Sequence, residues 1–153
     1  MLARFASAAA RLRGPVIAKG IVMNQNTQND VARFLLRITL GALVLLHGIA
    51  KLRGGLAGIQ GMVVAHHWPA WLAYGVLLGE VVGPLMVLLG FFSRIGAVMI
   101  AVNMVFALML VHMGQFGQLN EQGGWALELQ AMYLVSAIAL ALLGPGRYSV
   151  NGR

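Results

Sequence analysis

A chain of 153 residues that is 59% hydrophobic and 10% charged, with a mean hydropathy of +0.81, cannot hydrate the exterior of a soluble domain, because a water-facing surface needs charge. Its net charge of +7 does not mark nucleic acid: the basic residues punctuate apolar runs, as membrane-flank anchors do, instead of forming a stripe with aromatics between them. There is no cysteine, which excludes disulfides, thiol catalysis, Fe–S clusters and Cys-ligated zinc from this chain.

Residues 1–22 carry Arg4, Arg11, Arg13 and Lys19 with no acid, in an Ala-rich context. That composition fits either a targeting-like segment or a stretch upstream of a natural initiator at Met23. No small-residue cleavage site follows a long apolar region, so the second reading is preferred, with the domain spanning 23–153. Asp30 is the expected N-cap of a first helix over 31–51. About 20 residues at ~1.5 Å each match a hydrocarbon core of ~30 Å. Arg33 and Arg37, in its first two turns, are expected to snorkel to the near interface.

The segment Arg53-Gly-Gly-Leu-Ala-Gly-Ile-Gln-Gly is too rich in glycine to predict a helix. Pro69 precedes a second helix over 71–92. Ser93 and Arg94 make a tight turn, and a third helix covers 95–113. A polar loop over 114–124 leads to a fourth helix over 125–143, stopped by Gly144-Pro145-Gly146. The expected fold class is all-α, a four-helix transmembrane bundle set in a lipid bilayer. Four spans put the N-terminus, the Arg94 turn and the C-terminus on one side, with Arg33, Arg37, Arg94, Arg147 and Arg153; the other side holds Lys51 and Arg53. The positive-inside rule then makes both termini cytoplasmic in an inner membrane, with Trp68, Trp71 and Trp125 at the outer interface.

Within the second helix Gly75, Gly79 and Gly83 share a face, and small residues at that spacing let a neighbouring helix approach closely. Glu80 lies well inside the same apolar run, where an ionisable group is expensive and implies either a function or a pairing partner. His47 and Lys51 share a face near the outer end of the first helix; Lys51 alone reads first as a snorkelling anchor, while His47 lies one turn deeper. His112 ends the third helix and Glu128 opens the fourth, both near the outer side. His47, Lys51, Glu80, His112 and Glu128 thus form a candidate catalytic cluster drawn from all four helices. The alternative is a set of separately solvated helix ends. Gln130 is a weaker candidate, two residues from Glu128 and on a different face. Asn103 is roughly half a turn out of phase with His112 at ~100° per residue, so one straight helix cannot aim both at one point.

A b-type haem between His47 and His112 is less economical than hydrogen-bonded histidines. His66 and His67 read as interfacial loop. No metal site, phosphate loop or Ser-His-Asp set is expected.

The order Arg37-x3-Gly41, His47-Gly48-x2-Lys51, Glu80-x2-Gly83, Gly90, Arg94, Asn103, His112 and Glu128, with the ending Gly144-Pro145-Gly146-Arg147-Tyr148-Ser149, resembles the DoxX family over about residues 31–150. Pro84 stands where many members have another glycine, which leaves the local geometry of the second helix open. The resemblance implies a four-helix inner-membrane protein. The family takes its name from a subunit associated with thiosulfate:quinone oxidation, and some members are linked to membrane redox complexes with thiol-detoxifying partners. Most members have no established activity, so the name transfers no enzyme assignment.

Two functions follow. One is a membrane component of an oxidoreductase system whose polar cluster touches a quinone or small sulfur substrate, with Lys51 or His47 bonding a carbonyl and Glu80 or Glu128 moving protons. Such a chain needs a redox partner protein, and a homo-oligomer is compatible with it. The other is a non-enzymatic scaffold or small permease in which the same residues pair structurally or conduct a solute.

Overall fold

The computed structural model describes residues 24–151, so the readings of residues 1–22 and of Arg153 lie outside the described residues. Five α-helical elements follow one another: α1 (Gln25–Gly54), α2 (Ala57–Ala65), α3 (Ala70–Leu89), α4 (Ser93–Val111) and α5 (Glu128–Leu143). Helices α1, α3 and α4 are each long and apolar enough to cross a membrane, and α5 is a shorter apolar helix. Helix α1 packs on α3 and α5, and α4 packs on the same two, so the four large helices close a ring.

Helix α1 starts earlier than expected. Asn24 caps it, its side chain accepting from the Asn26 N–H, and the polar stretch before Asp30 is helical. Asp30 instead lies inside the helix, beside Arg33 at 3.7 Å, and accepts from the Arg147 N–H. The glycine-rich segment also departs from expectation, because α2 is helical across Gly58 and Gly61. Glycine disfavours helix by about 1 kcal/mol per residue, but α2 docks on the start of α3 with Val63 buried. Tertiary burial overrides the local cost.

The core forms where each helix turns small and branched residues inward. On α1 the buried stripe is Arg37, Leu40, Gly41, Val44 and Gly48, a three-and-four spacing that keeps one face toward the bundle. It meets Val87 of α3, Ala97, Ile100 and Met104 of α4, and Tyr133, Ala137 and Leu140 of α5. The outward faces are apolar too: Leu142 is 75% exposed and Val135 63%. Such surfaces suit lipid contact and would aggregate in water.

Glycines set the helix spacing. Gly83 of α3 faces Gly96 of α4, and a Cβ on either would come within 2.9 or 2.6 Å of the other's carbonyl oxygen. A Cβ on Gly79 would overlap the Asn103 side chain, and one on Gly48 would overlap the Glu80 carbonyl. Gly75 corrects the predicted face: a Cβ there meets nothing within 4 Å. Two of the three glycines on α3 pack and the third does not.

Helix α3 is not uniform. It begins as a 3-10 turn over Ala70–Tyr74, widens to a π-helical stretch over Leu78–Val82 and returns to α over Gly83–Leu89. Pro84 has no N–H to continue the α-helical ladder back to the Glu80 carbonyl, and the widened turn lies immediately before it. Glu80 is therefore carried on a π-bulge, a feature often found at functional sites.

Candidate functional site

Two polar assemblies occupy opposite halves of the bundle. At the end holding the α3–α4 turn, Arg37 is 1% exposed, which corrects its reading as a snorkelling anchor. Its guanidinium donates to four carbonyls: Nε to Val87 at 2.9 Å, Nη2 to Leu88 at 2.9 Å, and Nη1 to Pro145 at 3.0 Å and Tyr148 at 2.7 Å. The last turn of α3 leaves carbonyls without helical partners and carries the negative end of the helix dipole, so a cation is favoured there.

The surrounding backbone completes the clamp. Gly90, at φ +70°, ends α3 with its N–H on Val87, and the Phe91 N–H reaches Met86. This six-to-one and five-to-two pairing is a Schellman cap, which needs a left-handed residue at that point. The tail after α5 closes over it, Val150 donating to the Leu89 carbonyl. Arg37, Gly90 and the Gly144–Ser149 ending are parts of one structure.

In the other half, Glu80 is 3% exposed. Its Oε1 accepts from Lys51 Nζ of α1, in an ion pair, and from Asn103 Nδ2 of α4 at 3.1 Å. Glu80 Oε2 is buried and has no protein partner. Three helices thus meet at one carboxylate, which compensates an otherwise expensive burial. The pairing is incomplete. A buried carboxylate oxygen with lone pairs to spare is able to take a proton or a donor from a bound molecule.

The other sequence-predicted residues lie around this node without bonding to it. His47 stands one turn along α1 from Lys51, its ring edge-on to Tyr133 of α5 with centroids 5.9 Å apart. His112 forms a separate pair: Nδ1 lies 2.9 Å from Gln115 Oε1 and Nε2 lies 3.3 Å from Gln130 Nε2. Each ring nitrogen thus has a glutamine partner, one on the turn after α4 and one on α5. Gln130, ranked below Glu128 from sequence, is the α5 residue that His112 meets. Glu128 is exposed and lies against the Gly124 end of the preceding loop, so it is outside the Glu80 node. Among the described residues, no three His, Asp or Glu side chains converge in a group able to hold a metal.

Asn103 is the residue that sequence reasoning left out of the cluster. The periodicity argument is consistent with the structure, since Asn103 and His112 do address different partners. Glu80 pairs with Asn103 instead of His112. The available signal was mid-membrane depth, which Asn103 shares with Glu80.

Beside the node lies a cavity of about 600 Å³ between α2, the first half of α3 and α4, with Asn103 on its wall. Its size falls in the range of small-molecule sites.

Residues 32–113 match the model of the DoxX family. That span carries Arg37, His47, Lys51, Glu80, Asn103 and His112. A Bacillus subtilis (strain 168) protein named "Putative oxidoreductase CatD" is 27% identical over 119 residues, covering 78% of this chain and 84% of that protein. An uncharacterized protein of Haemophilus influenzae (strain Rd) is 29% identical over 121 residues, covering 77% of this chain and 87% of its own. No solved structure matches the chain.

Proposed function

The chain belongs to the DoxX family of membrane proteins, and from that premise we propose that it is the membrane component of an oxidoreductase system acting on a quinone or a small sulfur substrate. The observation that carries this reading is the Lys51–Glu80–Asn103 node: a buried carboxylate shared by three helices, with one oxygen unpartnered. A structural ion pair tends toward complete pairing, and here an acceptor is left over on a carboxylate whose partner Asn103 lines a cavity. Glu80 would hold or release the proton that accompanies electron transfer, and Lys51 would set its charge. Likeness to a protein named as an oxidoreductase agrees with the reading.

Without cysteine the chain draws its electrons from a redox partner protein. The charge distribution supports an inner membrane with the Arg37 end of the bundle in the cytoplasm, an orientation in which the Glu80 node would lie in the outer half. Reporter fusions after Arg94 and within 114–124 should then read cytoplasmic and external respectively; the reverse would invert the depth of the node. The functional test is quinone reduction by membranes lacking this protein, supplied with thiosulfate or sulfide. Wild-type chain should restore the rate, and Glu80→Gln at equal folded amount should not. Equal restoration by both would remove the proton role.

A further inference from the structure

The cavity beside the node has a wall of one chemical kind. Val63 from α2, Trp68 before α3 and Phe106 on α4 make its apolar sides, with Trp68 edge-on to Phe106 at 6.1 Å between centroids. Among the described residues, Asn103 is the only lining side chain that carries a hydrogen-bonding amide, and no Lys, Arg, His, Asp or Glu lines it. Leu78, Val98 and Val102 also line it and are exposed on the flank of the bundle. The mouth therefore lies among residues that face lipid.

We infer that this cavity is a lateral binding site for a membrane-dissolved molecule with an apolar body and a carbonyl or hydroxyl head, and that Asn103 recognises the head. Asn103 is 7% exposed and gives one N–H to Glu80. Its second N–H and its carbonyl oxygen bond to no protein group among the described residues. An amide in that state donates to a carbonyl and accepts from a hydroxyl, so it fits both forms of a quinone and quinol pair. It also couples the head to the carboxylate behind it. A small sulfur oxyanion finds no counter-charge on this wall and would be desolvated without compensation. The site thus deepens the oxidoreductase reading and rests on it only in the choice of a quinone as partner.

Gly75 supports the assignment independently. It lines the cavity, yet a Cβ there meets nothing within 4 Å, and its φ of −57° is ordinary for a helix. The absent side chain leaves room for the cavity and serves no helix contact. Leucine at this position would occupy the cavity while raising helix propensity.

The test is binding of decyl-benzoquinone to the full-length protein in phospholipid nanodiscs, read as quenching of Trp68 in a Trp71→Phe, Trp125→Phe background. Quenching should saturate. Gly75→Leu should keep the wild-type unfolding temperature and weaken the apparent affinity tenfold or more, and Asn103→Leu should weaken it in the same direction. Decanol should displace the quinone better than decane, and thiosulfate should not displace it. Unsaturable quenching, equal in wild type and Gly75→Leu, would mean partition into the bilayer only and would overturn the site. Equal displacement by decane and decanol would overturn recognition of the head, and displacement by thiosulfate would overturn the apolar class. Binding needs no turnover, so membranes inactive in quinone reduction would sink the functional reading alone.

Discussion

Arg37 and Glu80 are both ionisable, both almost wholly buried and both placed where three segments of the chain meet, yet they are satisfied to different degrees. Arg37 addresses four backbone carbonyls, two at the end of α3 and two in the tail after α5. Glu80 has its Oε1 doubly bonded and its Oε2 without a protein partner among the described residues, and it is its partner Asn103, not Glu80 itself, that lines the cavity. A buried charge whose hydrogen-bonding capacity is used by backbone holds the fold. One left with spare capacity is available to a proton or to a further donor. The difference separates a staple from a site more clearly than burial or charge does.

The largest effect should come from breaking the staple. Arg37→Ala leaves carbonyls without a donor and unpins the tail, and it should lower stability by about 3–5 kcal/mol, the scale for losing one partner of a buried charged network. Arg37→Lys should recover less than half of that, because an ammonium cannot span the four acceptors as a planar fork does. Detergent-titration unfolding measures both. Near-wild-type stability for Arg37→Lys would mean that charge at the α3 terminus matters and the fork does not.

Next comes the contact that seats the site. Gly48→Ala puts a methyl group into the Glu80 carbonyl and should cost about 1–3 kcal/mol by overpacking, while Gly75→Ala at the open position should not destabilise. Thermal unfolding of the two variants checks this. Equal tolerance would show that the α1–α3 approach is looser than the structure has it. The smallest effect belongs to the exposed pair at the helix start. Arg33→Gln removes a partly exposed contact at 3.7 Å and should change stability by no more than about 0.5 kcal/mol. A larger loss would extend the staple to the Asp30 region.

Much of the site half could be read from the chain. Lys51 and Glu80 stand out because ionisable residues in apolar runs are conspicuous, but Lys51 at the outer end of its helix and Glu80 well inside its own give no sign that these two pair. The four large helices likewise follow from apolar length, with ends displaced where local signals compete with packing, as at Asn24 and α2. The staple half could not be read from residue types. Every partner of Arg37 is a backbone carbonyl, and carbonyls leave no mark in a pattern of side chains. The Gly144-Pro145-Gly146 ending reads only as a helix stop, with no sign that the tail after it returns to Arg37. Asn103 is set aside in the sequence because it is out of phase with His112, whereas the partner it meets is Glu80, carried on a π-bulge that a reading at uniform helical pitch cannot anticipate.

Glu80→Gln tests the contrast most directly, because it keeps the shape and the acceptor for Asn103 while removing the proton site. The quantity to measure is the quinone-reduction rate of membranes per folded molecule of variant. The account predicts a folded amount equal to wild type and a rate lowered by about 100-fold or more, the scale of a lost acid–base group. A wild-type rate per folded molecule, with the folded amount falling as it does for Arg37→Ala, would make Glu80 a second staple and contradict the account.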